Sequence, residues 1–226
     1  MNLSLAHDHL HYIDHVVVGI DDLQKGMAAI EEMTGVKPAY GGAHPDYGTH
    51  NALISLDNNT YLEVLAPNPE ISMNLFQWLT NFKAMYLRRK LSSMHSLKPF
   101  LWAVGSQDLQ MTAAQIKEIG LKLTKPEANS RKKPNGELLS WKGAFFAKGI
   151  KTDLPFFISW DEAASSPAKD SPKGCKLIDF MVSTPNSDDL NKIVDNLSLP
   201  VRITQARKVG VTFEFSSPKG NVRLSG

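Results

Sequence analysis

The sequence predicts an α+β fold made of repeated βαβββ modules, in which mixed sheets form a cup and the helices lie outside it. The first observation is the order strand, helix, strand, strand, strand over residues 11–67. The second is a repetition of this start, because 100–105 matches the apolar, glycine-ended pattern of 14–19 and an aspartate–leucine pair follows each. A third, shorter repetition begins at 175. Internal repetition of this kind indicates modules that pack on one another.

The first module, residues 11–67, begins with a segment rich in Val and Ile, a composition typical of a strand buried on both faces. Asp21-Asp22 is expected to cap a helix with one apolar stripe, which Gly35 ends. The turn Asp57-Asn58-Asn59-Thr60 joins the last two strands. The predicted strands cover 12–20, 37–40, 51–56 and 61–66.

The later segments are assigned in the same way. A connecting helix is expected over 70–95, with Arg88, Arg89 and Lys90 near its C-terminal end, where the helix dipole favours cations. The second module covers 99–160, a linker covers 161–174 and the third module covers 175–226. Predicted strands cover 121–124, 138–146 and 155–160 in the second module, and 177–182, 200–204, 209–215 and 221–224 in the third.

One segment of the second module leaves two interpretations open. Residues 125–136 are polar and rich in turn residues, which predicts a solvated hairpin loop; the alternative is a flap that draws in an anionic ligand. Aromatic side chains also concentrate in this module, where they form either ordinary core or one wall of an apolar pocket. They are Trp102, Trp141, Phe146, Phe157 and Trp160.

Composition excludes several classes of protein. The chain has 226 residues, 42% hydrophobic content and a net charge of +2, which suits a globular protein and gives no basic patch for nucleic acid. No apolar run is long enough to span a membrane, and the first residues lack the features of a secretory signal. Cys175 is the single cysteine, so no internal disulfide forms, and a cytoplasmic protein is expected.

Strand alternation places one histidine and one carboxylate on the same side of the sheet. In a strand, successive side chains point to opposite faces. On the first strand, His15 falls on the face away from the helix, and Tyr61 and Glu63 fall on that face of the fourth strand. The sequence therefore predicts that His15 and Glu63 face one cavity as candidate catalytic groups.

The segment 13–19, the loop Gly41-Gly42-Ala43-His44-Pro45 and the strand Tyr61-Leu62-Glu63-Val64-Leu65 together resemble the glyoxalase-like branch of the vicinal oxygen chelate superfamily. The resemblance implies that paired modules form a cup and that the first and fourth strands each supply a metal ligand, here His15 and Glu63. Such ligands suit Zn, Ni, Mn or Fe, which could chelate two substrate oxygens and stabilise an enediolate. Alternatively, Glu63 acts as a general base.

Further histidines are candidate ligands. His50 would complete a triad suited to iron, but strand alternation favours Asn51 as the residue that points into the cup unless a bulge reverses it. His44 is expected either at the mouth of the cup or on a surface loop. His7, His9 and His11 resemble a metal-binding tract, but a frayed polar N-terminus is the favoured interpretation. Tyr61 is a further candidate for ligand binding.

The second module departs from the pattern of the resembling family. Its equivalents of His15 and Glu63 are Leu101 and, approximately, Ile158, neither of which can bind a metal. Two functions therefore stay open: a lyase, isomerase or dioxygenase that acts on a small oxygenated molecule, with or without one divalent metal, and a non-catalytic protein that sequesters such a molecule. A homodimer is expected, because the last strands of the third module form an apolar edge.

Overall fold

The structure, a computed structural model, describes residues 10–71, 82–147, 152–161 and 166–226, and it confirms the α+β class. The strands are β1 His11–Gly19, β2 Ala39–His44, β3 Thr49–Ser55, β4 Tyr61–Pro67, β5 Lys98–Ser106, β6 Glu127–Lys132, β7 Leu138–Ala144, β8 Phe156–Trp160, β9 Lys176–Thr184, β10 Arg202–Gln205, β11 Gly210–Ser217 and β12 Gly220–Ser225. The helices are α1 Leu23–Thr34, α2 Phe82–Ser92, α3 Leu109–Glu118, α4 Pro167–Asp170 and α5 Asp188–Asn196.

The first eight strands form one curved sheet in the order β2-β3-β4-β1-β5-β8-β7-β6. β1 lies at its middle, parallel to β4 and antiparallel to β5. The sheet curls until its edge strands approach each other, and the guanidinium of Arg131 on β6 donates a hydrogen bond to the carbonyl oxygen of Gly41 on β2. The concave face of this nearly closed sheet forms a cup.

The helix ends and turns follow from local sequence. Asp22 caps α1, where its carboxylate accepts a hydrogen bond from the backbone N–H of Lys25, and Gly35 ends the helix with a φ of 75°. Asp108 caps α3 in the same way. The turn between β3 and β4 uses left-handed conformations at three successive residues, 57–59, which Asp and Asn tolerate better than most residues.

One hydrophobic core covers the convex side of the large sheet. It joins the outward residues of β1 and β4 to the inner face of the second sheet, whose strand order is β10-β9-β11-β12. Trp102 on β5 is fully buried and its ring lies 5.1 Å from that of Phe180 on β9. The two sheets therefore share a core, while the predicted module boundaries stay a prediction.

The largest correction concerns the polar segment 125–136. Residues 127–132 form strand β6, which pairs with β7 along its whole length, so the loop is limited to the turn between them. The segment has a polar composition because β6 is an edge strand whose outward side chains are solvated. By contrast, the predicted strand over 121–124 is reduced to one isolated bridge between Leu123 and Phe146.

Other predicted segments lie partly outside the described residues. Within the predicted connecting helix, α2 is described over Phe82–Ser92, and residues 72–81 lie outside the description. The predicted linker contains α4, which Ser166 caps and which packs near β3. Cys175 is a buried free thiol whose pKa burial raises. Among the described residues, no helix has the length and apolar character to cross a bilayer.

Candidate functional site

The concave face of the large sheet encloses a cavity of about 140 Å³. For scale, an engineered cavity of about 150 Å³ in another protein holds one benzene molecule. The polar side chains that line it include those of His15, His44, Asn51, Tyr61, Glu63 and Arg131, and the apolar wall includes Leu101, Trp141, Phe156, Ile158 and Trp160. The cavity therefore suits a small molecule that presents both apolar surface and a few polar atoms.

His15 and Glu63 meet at this cavity. β1 and β4 are parallel neighbours in which Val17 lies opposite Glu63, so His15 and Glu63 are diagonal neighbours on one face. The Nε2 atom of His15 lies 3.5 Å from Oε2 of Glu63, and both side chains are buried. The structure thus brings together the two groups that strand alternation had placed on the same face.

Asp14 fixes the imidazole of His15. Its carboxylate lies 2.6 Å from Nδ1 of His15 and accepts a hydrogen bond of 2.8 Å from the indole of Trp160. Because an ionised carboxylate only accepts hydrogen bonds, Nδ1 carries a proton and Nε2 is left to face Glu63. Asp14 is fully buried. It also contributes to the raised pKa of Tyr12, which is caused mainly by burial.

An irregularity in β1 explains how neighbours in the sequence can contact each other. Adjacent side chains of a regular strand point to opposite faces, yet the side chains of Asp14 and His15 are hydrogen-bonded. The register between β1 and β5 shifts between Ile13 and His15, which is the signature of a bulge. The bulge redirects Asp14 toward the imidazole, in the position of an orienting group.

Asn51 holds the other side of the Glu63 carboxylate. Its Nδ2 donates a hydrogen bond of 2.7 Å to Oε1 of Glu63, and the residue is buried on β3. Asn51 therefore points into the cup, as alternation along β3 predicts. Its Oδ1 has no hydrogen-bond partner among the described residues and lies against Gly41, where an added Cβ would come within 2.4 Å of it.

Aromatic rings enclose the imidazole of His15. The ring of Tyr61 stacks on it with centroids 4.6 Å apart, and Phe156 approaches edge-on at 5.3 Å. Burial raises the pKa of Tyr61 well above its usual value, so the phenol stays protonated at neutral pH. These contacts limit the motion of the ring and keep bulk water away from it.

The two other candidate histidines lie in different surroundings. His44 lines the cavity, where Nδ1 lies 3.2 Å from Oγ1 of Thr49. Burial lowers the pKa of His44 to about 4, so it is neutral at pH 7. His50 does not line the cavity: it follows the alternation of β3 to the opposite face, where its ring centroid lies 6.2 Å from that of Tyr40. The structure therefore does not bring His50 to His15 and Glu63.

Of the three N-terminal histidines, the structure describes His11, which does not line the cup. His11 is buried at the start of β1, where its Nε2 lies 2.9 Å from Oγ1 of Thr112 on α3. His7 and His9 lie outside the described residues.

The donor set does not fit a resident metal ion. His15 and Glu63 provide two ligands, whereas a protein metal site usually has three or four. In the second module Ala103 pairs with Phe156 as Val17 pairs with Glu63 in the first, so Phe156, rather than the predicted Ile158, is the equivalent of Glu63. Leu101 and Phe156 both line the cavity, so the second module adds apolar surface there. Within the described ranges, no group of three or more His, Cys, Asp and Glu side chains could hold a metal. The described side chains of the cup therefore do not form a metal site.

The sequence placed Arg131 within the segment 125–136, whose alternative interpretation was a flap for an anionic ligand, but did not single it out as a site residue. It lies on β6, is 7% exposed, and its guanidinium lines the cavity and donates to the carbonyl oxygen of Gly41. The signal was available, because the turn at Pro134-Asn135-Gly136 leads into a clear strand and a hairpin turn requires a partner strand before it. In that strand, Asn129 and Arg131 share the inward face.

Comparisons with known proteins agree with this architecture. A Staphylococcus aureus hypothetical protein of known crystal structure superposes with a TM-score of 0.69 at 16% identity, over 95% of this chain and 98% of that chain. A methylmalonyl-CoA epimerase in complex with methylmalonyl-CoA and NH4+ gives a TM-score of 0.45 at 19% identity, over 70% and 99% of the two chains. The epimerase from Mycobacterium tuberculosis gives 0.45 at 16% identity, over 71% and 94%.

At 16% identity the first structure indicates the fold alone, and the two epimerases, with TM-scores below 0.5, carry no argument. No curated protein matches the chain significantly. The family described as "Glyoxalase-like domain" matches residues 13–198, which include every strand of the cup. The chain therefore belongs to the glyoxalase-like domain family and has the vicinal oxygen chelate fold.

Proposed function

We propose that the protein is an enzyme, of the isomerase or lyase class, that moves a proton on a small oxygenated molecule bound in the cup. Glu63 and His15 form the acid–base pair. The observation that carries this proposal is the buried chain of contacts from Asp14 through His15 and Glu63 to Asn51, which opens onto the cavity.

The two ends of this chain have different tasks. Asn51 occupies Oε1 of Glu63, so Oε2 is the oxygen that accepts a proton from a carbon next to a carbonyl group. The bonding electrons move into the new C=C bond, and negative charge develops on the carbonyl oxygen. His15, protonated on both ring nitrogens between Asp14 and Glu63, donates its Nε2–H to that oxygen. In an α-hydroxycarbonyl ligand, His15 gives its Nε2 proton to the enolate oxygen and takes the proton of the adjacent hydroxyl, which becomes the new carbonyl oxygen. Return of the proton from Glu63 to the former carbonyl carbon then completes an isomerisation.

A second function, binding without catalysis, is supported by the opposite wall. Leu101 and Phe156 stand where a paired module would supply further metal ligands, and the aromatic rings of Trp141 and Trp160 also line the cavity. Such a cup could hold an oxygenated molecule with apolar surface and leave it unchanged. A dioxygenase is less well supported, since its iron would need more ligands than His15 and Glu63.

Deuterium exchange separates the two functions. The purified protein is incubated in D₂O with ketoaldehydes and α-hydroxyketones, and loss of the C–H signal next to the carbonyl is followed by ¹H NMR, together with line broadening as the measure of binding. We expect exchange with the wild type and a loss of about a hundredfold or more in Glu63→Gln. Glu31→Gln, which changes an exposed carboxylate of α1, serves as the control and keeps the wild-type rate.

Each other outcome has a defined meaning. Binding without exchange supports the sequestering protein, and absence of both binding and exchange refutes both functions. Elemental analysis of protein purified without chelator tests the metal separately. A stoichiometric transition metal that is lost in both His15→Ala and Glu63→Ala would overturn the proton transfer by side chains alone and restore the metal-dependent enzyme that the resemblance implies.

A further inference from the structure

Arg131 is a buried cation at the cup with little protein to neutralise it. Its side chain is 7% exposed and lines the cavity. Among the described residues, its hydrogen bond goes to the carbonyl oxygen of Gly41, and no carboxylate lies within 4 Å of its guanidinium in an ion pair. A guanidinium has five N–H donors, so most of its hydrogen-bonding capacity is left for other partners.

Burial of such a charge is unfavourable unless something compensates it. A buried ion without a partner costs several kcal/mol in real proteins, and removal of one member of a buried pair is strongly destabilising for the same reason. The other groups that face the cavity around Arg131 offer no close compensation. Tyr61 is protonated, His44 is neutral, and Glu63 is committed to Asn51 and His15.

From this arrangement we propose that Arg131 binds a carboxylate group of the ligand, so that the cup selects small oxygenated carboxylic acids. This inference rests on the proposed function, since it names the class of molecule on which Glu63 and His15 act. A planar guanidinium binds a carboxylate through two parallel hydrogen bonds. Of the described side chains that line the cavity, Arg131 supplies the single permanent positive charge, which matches a monoanion better than a phosphate.

The position of Arg131 relative to the acid–base pair fits a ligand with two ends. Glu63, Asn51 and Gly41 lie on β4, β3 and β2, which are successive neighbours in the sheet, and Arg131 reaches Gly41 across the seam between β2 and β6. An acid anchored at Arg131 would extend along the cavity floor toward Glu63. The anchor thus fixes which carbon of the ligand is presented for proton transfer.

Paired probes test the proposal. The dissociation constants of lactate and lactamide, pyruvate and pyruvamide, and benzoate and benzamide are measured by ligand-observed NMR titration. We expect the full-length wild type to bind at least one acid about tenfold to a hundredfold more tightly than its neutral amide. Arg131→Gln and Arg131→Met should bring that ratio close to one. The control is Lys132→Gln, which removes an exposed positive charge from the next position of β6 and should keep the ratio.

Several results would overturn the inference: equal binding of every acid and its amide by the wild type, no binding of any acid, or a ratio that survives in both Arg131 variants. Because Met retains an apolar stem without the buried charge, Arg131→Met carries the test if Arg131→Gln does not fold. Deuterium exchange tests the proposed catalysis independently of the binding measurements. Glu63→Gln should keep the preference for acids while it loses deuterium exchange, whereas exchange confined to neutral compounds would support catalysis and refute the role of Arg131.

Discussion

Replacement of Gly41 by alanine should disturb the carboxylate of Glu63 through Asn51, which lies between the two residues. A Cβ at this position would lie 2.4 Å from Oδ1 of Asn51 and 3.1 Å from Cδ1 of Leu53. Asn51 is buried and cannot swing into solvent. Its displacement would lengthen the hydrogen bond of 2.7 Å to Oε1 of Glu63. We therefore expect that only glycine leaves room for the Asn51 amide at this position.

The size of the effect follows from two contributions. Loss of a hydrogen bond to a charged group costs about 1.5–3 kcal/mol, and an extra methyl group in a packed site costs about 1–3 kcal/mol. The smaller entropy of an unfolded chain with alanine offsets about 0.4–1 kcal/mol. We therefore expect Gly41→Ala to lower the free energy of unfolding by about 2–5 kcal/mol. Gly143→Ala is the matched control in the same cup, because no heavy atom lies closer than 3.8 Å to its added Cβ.

A double-mutant cycle with urea unfolding makes the test specific. Asn51→Ala removes the atom with which the new methyl group collides, so Gly41→Ala should cost less than about 1 kcal/mol in that background. The two substitutions would then couple by more than about 1 kcal/mol. Additive effects, or a Gly41→Ala variant as stable as Gly143→Ala, would show that the Asn51 amide does not depend on the glycine and would refute the reasoning.

Two further predictions concern the cup and the core. Because burial lowers the pKa of His44 to about 4 from 6.5, the unfolded chain takes up a proton that the folded protein does not. Stability should fall by about 1–3 kcal/mol between pH 6.5 and pH 4, and urea unfolding of His44→Gln should show a smaller fall; equal falls would contradict this. Phe180→Ala should lower the stability by about 3–5 kcal/mol in one cooperative transition, since Phe180 packs on Trp102 between the two sheets. Separate transitions in near-UV and far-UV circular dichroism would show that the sheets unfold independently.

Strand alternation was sufficient to place the central groups of the site. His15 and Glu63 lie on strands with a clear apolar pattern. Once it is known which residues of each strand face the helix, it follows that His15 and Glu63 share the other face. The same rule puts Asn51 into the cup and His50 outside it. The order of elements in the first module was also predictable, because Asp22 and Gly35 mark the ends of α1 with ordinary capping chemistry.

Other features depend on tertiary contacts that no local pattern contains. Asp14 reaches His15 because β1 has a bulge, and one sequence does not show where a register shift occurs. Arg131 reaches the cup because the sheet curls until β6 meets β2. An edge strand that is solvated on its outer side has the composition of a loop, so the pattern of residues 125–136 predicted a loop.

In the proposed function, the two halves of the cup have different tasks. Asp14, His15, Asn51 and Glu63 all lie on β1, β3 and β4, and they form a chain that can hold and move a proton. The facing strands contribute apolar and aromatic surface and one cation, Arg131. Where the protein supplies too few metal ligands, only hydrogen bonds stabilise the negative charge of a bound enediolate. A substrate that also carries a carboxylate is then bound best if Arg131 neutralises that second negative charge. The apolar side chains of Leu101 and Phe156 at the equivalent positions and the cation of Arg131 are then parts of the same arrangement. Loss of the cation should affect recognition of the ligand more than the proton transfer itself.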